Sequence, residues 1–158
     1  MAPRLNWVCG ILAIAVSAGT LGLLVGCTEE PAAPANGTIT VLLTGAGVHD
    51  GKQLMSAVAA HGADMTNPAN ILANSEGGAG QVIAAGTVTE LMVDTSVFPA
   101  QTVIFPGGNR YDVGAMIDVD GSLTQNSGDF VSLPLKTVVV DGNVTVEFVY
   151  PTDFAVIF

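Results

Sequence analysis

Residues 110–118 read RYDVGAMID, and this stretch decides the fold. Tyr111, Val113, Ala115 and Ile117 fall on one face of an extended chain, and Asp112, Gly114, Met116 and Asp118 fall on the other. A period of two marks a strand with distinct faces, because successive side chains of a pleated backbone point to opposite sides. The period recurs at 143–150 (NVTVEFVY), where Val144, Val146, Phe148 and Tyr150 alternate with polar Thr145 and Glu147. Asp141-Gly142 separates that run from 135–140 (LKTVVV), the pattern of two strands joined by a tight hairpin turn.

The rest of the chain from residue 37 onward reads the same way. Residues 38–44 (TITVLLT) are β-branched and half alternating, while 81–90 (QVIAAGTVTE) and 101–105 (QTVIF) are bounded by Gly or Pro. Short strands at this spacing, broken by Gly, Pro, Asn and Asp, predict an all-β, antiparallel β-sandwich. Residues 63–80, polar and rich in Gly and Asn, predict a long loop. The ending 154–158 (FAVIF) predicts a last sandwich strand. A membrane barrel needs about eight long alternating strands with aromatic girdles, and Phe, Trp and Tyr are only 6% of this chain.

The amino-terminal region has a different character. Arg4 and the amino terminus are positive, residues 8–25 are almost wholly apolar, and the run closes on Leu24-Val25-Gly26-Cys27. That is the plan of a secretory signal peptide. About 18 to 20 apolar residues can also span a bilayer, but no basic flank follows here; Thr28-Glu29-Glu30-Pro31 is acidic. The hydrophobic-hydrophobic-Gly-Cys ending resembles the lipobox of bacterial lipoproteins. This resemblance implies cleavage before Cys27, lipid attachment at Cys27, and a domain tethered on the outside of a bacterial membrane. Thr28 in place of Asp after the Cys implies the outer membrane in a diderm organism. The chain then divides into a signal helix at 1–26, an acidic Pro- and Ala-rich tether at 27–36, and a β-sandwich domain at 37–158. From Tyr111 through Asp129 to Asp141-Gly142 the domain resembles the small immunoglobulin- or prealbumin-like sandwich modules of bacterial surface lipoproteins. Such modules bind, present or stiffen rather than catalyse.

Charge narrows the partners. The chain carries 4 basic and 14 acidic residues, a formal net charge of −10. Loss of Arg4 with the signal leaves Lys52, Arg110 and Lys136 as scattered cations. Nucleic acid binding, which needs clustered Lys and Arg against phosphates, is excluded, and so is attraction to anionic headgroups. Anchoring falls to the lipid. Cys9 and the only Trp, Trp7, also belong to the signal, so the domain has no disulfide and no Trp platform for sugars.

Several motifs bear on chemistry. Thr44-Gly45-Ala46-Gly47 followed by Gly51 is similar to the Thr-Gly-x-x-x-Gly-x-Gly opening of short-chain dehydrogenases, which would imply a nicotinamide dinucleotide on a helix N-terminus. His49 occupies the middle glycine position, however, and the Tyr-x-x-x-Lys pair of that family is absent. The segment therefore reads as a strand, a Gly-rich turn and a second strand at 53–60, forming a hairpin. His49 and His61, with Asp50 and Asp64 nearby, are candidates for a metal or acid/base site or are simply exposed. No Ser sits in a nucleophile-elbow pattern, and no catalytic residue is assigned.

The acidic run 118–129 is more specific. Counted from Asp118, oxygen side chains occupy positions one, three, five, seven, nine and twelve, the ligand spacing of an EF-hand calcium loop. Asp118, Asp120, Ser122, Asn126 and Asp129 are the candidate calcium ligands. Leu123 stands at position six, where such loops carry glycine, and position twelve is Asp rather than Glu. The competing reading is a solvated hairpin loop, for which Asp, Asn, Ser and Gly are equally suited. The functional expectation is a lipid-anchored, non-catalytic surface module, with an accessory subunit of an envelope complex or a small periplasmic hydrolase as alternatives. An exposed apolar patch would favour the subunit, and a His meeting Ser or Asp in a concave wall would favour the hydrolase.

Overall fold

A computed structural model describes residues 37–99, 101 and 107–158. The expected signal helix, Cys27 and the tether lie outside the described residues, as does the strand expected at 101–105 apart from Gln101. The strands are β1 (Thr38–Thr44), β2 (Gln53–Ala60), β3 (Ser75–Val82), β4 (Thr89–Asp94), β5 (Asn109–Asp118), β6 (Phe130–Ser132), β7 (Lys136–Val140), β8 (Val144–Val149) and β9 (Phe154–Val156). One helix, α1 (Pro68–Asn74), lies between β2 and β3. Among the described residues no helix is long and apolar enough to cross a membrane.

The strands form two sheets, so the all-β sandwich stands. A three-stranded sheet has the order β4-β1-β8, and the larger sheet runs β3-β2-β5-β6-β9 with β7 also paired to β5. Alternation in the smaller sheet is strict. Ile39, Val41, Leu43, Leu91, Val93, Val146 and Phe148 point into the core while their neighbours face outward. From the other sheet Leu54, Val58, Tyr111, Val113, Ala115, Ile117 and Val140 meet them. The face assignment read from 110–118 is the observed one. At ten residues β5 is long enough to take two short partners on one edge, β7 against Asn109–Val113 and β6 against Met116 and Ile117.

Connectivity departs from expectation where two glycine turns were read as hairpins. β1 and β2 do not pair; the turn at Gly47–His49 and Gly51 carries the chain from the small sheet to the large one. β7 and β8 also part at Asp141-Gly142, where Gly142 has φ of 98°, and β8 pairs with β1 in parallel. A turn dipeptide reverses the chain but does not choose its partner; in a sandwich either sheet can receive the next strand. That parallel pair is the exception to the expected antiparallel pairing. The Gly- and Asn-rich stretch at 63–80 is not a loop. It holds α1, capped by the Asn67 side chain accepting from the Asn70 backbone N–H with Pro68 in the first turn, and then β3. Asn followed by Pro is a helix-start signal, so α1 was legible. β3 was hidden by its glycines, which close packing demands: a Cβ on Gly78 would lie 2.3 Å from the Ser56 carbonyl oxygen. The strand expected at 81–90 is split by a turn at Gly86, with its ends in β3 and β4. Within residues 52–61 the chain forms β2 (Gln53–Ala60), not a dinucleotide-binding helix.

Candidate functional site

Pairing of Ile117 with Phe130 makes residues 119–129 the tip of the β5–β6 hairpin. Residues 120–124, 127 and 128 of the tip are exposed, but the two carboxylates at its base are not. Asp118 is 1% exposed and Asp129 is fully buried. The Asp118 carboxylate accepts the backbone N–H groups of Gly121 (2.7 Å) and Leu123 (2.8 Å). Asp129 accepts those of Val119 (2.9 Å) and Asn126 (3.0 Å). The two carboxylates thus staple the entry and exit of the loop to its middle. Asp120 is exposed, and the backbone N–H and side chain of Ser122 hold its carboxyl below the usual carboxylate range. The Asn126 amide donates to Asp120 (3.1 Å) and to the Ser122 hydroxyl (2.7 Å).

All five predicted ligand residues therefore meet in one cluster. One carboxylate oxygen from each of Asp118, Asp120 and Asp129 lies within 4.8 Å of the others. Oxygens around calcium sit about 2.3–2.6 Å from the ion, so a ligand set spans about 5 Å across, and these three fit that sphere. A carboxylate offers about four lone-pair sites, so the backbone bonds leave capacity on Asp118 and Asp129. The ammonium of Lys52 donates to the Val119 carbonyl at 2.7 Å, placing a fixed positive charge at the shoulder of the loop. Sequence reading missed it, because β2 and β5 become neighbours only through sheet pairing. The loop's exit is bonded to the chain end, Gly128 N–H to the Ile157 carbonyl and Ile157 N–H to the Asp129 carbonyl.

Leu123 is the only non-glycine among the described residues with positive φ, at 59°. It occupies the sixth position, so the backbone adopts the left-handed turn there without the glycine that makes it cheap. An L side chain in this conformation costs about 1–2 kcal/mol, against about 0.4–1 kcal/mol for the extra chain entropy of Gly. Leu123→Gly is therefore expected to raise the chemical-unfolding midpoint, by about 0.5–1 kcal/mol of stability. A loss of stability would mean that the exposed Leu123 side chain contributes more than its backbone strain.

The two histidines do not form a common site. His61 pairs with Asp112 rather than Asp64: its Nδ1 lies 2.9 and 3.1 Å from the two carboxylate oxygens. Burial works to raise the Asp112 pKa, but hydrogen bonds from the Thr137 hydroxyl (2.6 Å), the Gly62 N–H (2.9 Å) and His61 outweigh it and hold the carboxyl low. Asp64 instead accepts from Thr66 and Asn70 at the start of α1, and Asp50 accepts the Ala85 N–H. His61 and Asp112 stand in the wall of a groove of about 1190 Å³ on the outer face of the larger sheet. Its floor is Met55, Ala57, Gly114, Met116 and Val131. α1 forms one wall, and Leu123 to Gln125 of the acidic loop contribute to it as well. The groove-wall hydroxyls have other partners: Ser56 donates to the Gly114 carbonyl, Ser132 accepts the Ala115 N–H, and Thr137 serves Asp112.

His49 belongs to an aromatic cluster, its ring 4.6 Å from Tyr150 and 4.9 Å from Phe130. Its Nε2 is buried with no hydrogen-bond partner among the described residues. Burial, then the nearby Lys52 charge, lowers its pKa from the ordinary 6.5. The unfolded chain consequently binds the proton better. His49 contributes stability in full above pH 6.5 and loses it as pH falls through that value toward the folded pKa. The lowered carboxylates act only further down, below their ordinary 3.8. Between pH 7.5 and 5 the thermal midpoint is expected to fall in wild type and to fall less in His49→Phe. Parallel curves would remove His49 as the cause.

Compared with known protein families, curated proteins and solved structures, the chain matches no family model, no curated protein and no solved structure.

Proposed function

We propose that the protein is a lipid-anchored, extracytoplasmic, non-catalytic binding module of a bacterial cell envelope, its sandwich stabilised by calcium at the acidic loop. One observation carries the cation part: carboxylate oxygens of Asp118, Asp120 and Asp129 converge within 4.8 Å while Asp118 and Asp129 are buried. Like charges gathered and partly desolvated repel one another, and a hard divalent cation removes that repulsion with the donor type it prefers. The anchor rests on the Leu24-Val25-Gly26-Cys27 ending and the acidic tether after it. A binding role is supported by the groove and by exposed Leu72, Leu123 and Leu133 at its edge. The test of the cation is thermal unfolding in calcium against chelator, with a higher midpoint expected in calcium; equal midpoints overturn it.

A small hydrolase is the second reading, favoured by the His61–Asp112 pair on a concave wall. An Asp that fixes a His tautomer is half of an acid/base device, yet the groove-wall hydroxyls are committed elsewhere. Hydrolysis of a small ester that vanishes in His61→Ala would replace the binding reading.

A further inference from the structure

We infer that the groove on the outer face of the larger sheet binds a small cationic amphiphile, an apolar body ending in one positive charge. The inference rests on the binding-module reading but not on the calcium site. Strand register builds the floor: Met55 faces Met116, Met116 faces Val131, and Val131 faces Ala155, one apolar row across β2, β5, β6 and β9. The next row pairs Ala57 with Gly114, and these small residues deepen the centre. Methionine suits such a floor, since its flexible, polarizable side chain adapts to irregular apolar shapes. At about 1190 Å³ the groove exceeds the roughly 300–1,000 Å³ of ordinary small-molecule pockets. Leu72, 86% exposed, and Leu133, 59% exposed, leave apolar surface at its rim.

Charge selects the head group. Among the described residues Asp64 and Asp112 are the only carboxylates in the lining, His61 is its one basic residue, and no Lys or Arg lines it. Arg110 stands on the same face of β5 two residues before Asp112 but outside the lining. With a net charge of −10 over the chain, the field disfavours a carboxylate or phosphate head and draws an ammonium toward the carboxylate end.

The test is photolabelling of the full chain in its membrane, with decyltrimethylammonium carrying a terminal diazirine. A decanoate and a decyl maltoside with the same diazirine are run alongside. Saturable labelling of the peptides containing Met55, Met116 or Leu72 is expected with the ammonium probe, competed by unlabelled decyltrimethylammonium. Half-saturation should come at a concentration about tenfold below that of decanoate, a difference of about 1.4 kcal/mol. Met55→Lys should reverse that order. Leu72→Asn, on an exposed position that folding does not depend on, should weaken labelling by both charged probes. Equal labelling by all three probes would overturn the cationic preference and leave a binding groove. Unsaturable labelling by every probe would remove the groove as a binding site altogether, and the binding-module reading with it.

Discussion

In about 10 mM calcium the protein is expected to unfold roughly 10 °C above its midpoint in chelator, and Asp118→Ala to abolish the difference. At a dissociation constant of about 10⁻⁴ M, within the range of extracellular calcium modules, that calcium concentration is a hundredfold excess. Mass action on the folded state alone then supplies about 2.7 kcal/mol, and about 4 °C accompanies each kcal/mol in a domain of this size. Affinity beyond that range is not expected, because Leu123 holds the left-handed turn at a cost that glycine avoids. Asp118→Ala removes a carboxylate that reaches the cluster and also releases the Gly121 and Leu123 N–H groups. Asp129→Ala likewise removes a carboxylate of the cluster and a backbone acceptor. It strips acceptors from the N–H groups of Val119 and Asn126, at about 1–3 kcal/mol each where they stay shielded from water. A loss of about 2–6 kcal/mol is therefore expected in chelator, and a larger one in calcium, where the ligand is lost as well. Should Asp118→Ala keep the full calcium shift, the acidic loop is a hydrogen-bonded turn and the ion binds elsewhere.

Cys27→Ser is expected to move the protein from the membrane fraction to the soluble fraction. Each buried methylene of an acyl chain contributes about 0.8 kcal/mol to membrane affinity. With 14 acidic residues against 4 basic ones, nothing electrostatic substitutes for it on an anionic surface. Mass spectrometry of the wild-type membrane fraction should find Cys27 at the amino terminus and carrying lipid. A chain that still begins at Met1, or a Cys27→Ser protein that stays with the membrane, would point to an uncleaved apolar anchor at residues 8–25 instead.

Alternation was enough to assign faces. Tyr111, Val113, Ala115 and Ile117 are core, and Asp112, Gly114 and Met116 line the groove, as the spacing in 110–118 requires. The acidic cluster was legible for a related reason: its ligands lie within twelve residues, so local chain geometry brings them together. His61 and Asp112 were not legible as a pair. Asp64, three residues from His61, was the nearer partner in sequence, but it accepts from Thr66 and the Asn70 side chain, while Asp112 comes from a strand 51 residues away. β3 escaped notice because Gly77, Gly78 and Gly80 read as turn residues, whereas Gly77 makes room for the Phe98 ring and Gly78 for the Ser56 carbonyl.

By itself the sequence determined the all-β class, the inward and outward faces of β5 and β8, and the loop that gathers Asp118, Asp120 and Asp129. All of these follow from short-range periodicity and spacing, which the backbone converts directly into direction. Only the tertiary structure decided that β1 lies parallel to β8, that β7 and β8 part at Asp141-Gly142, and that Lys52 meets the acidic loop. It alone assembled the groove floor from Met55, Met116, Val131 and Ala155. The physical reason is that a strand's edges are all-purpose rows of N–H and C=O groups. Which edge pairs with which is settled by the burial of the whole core, not by the residues at the turn.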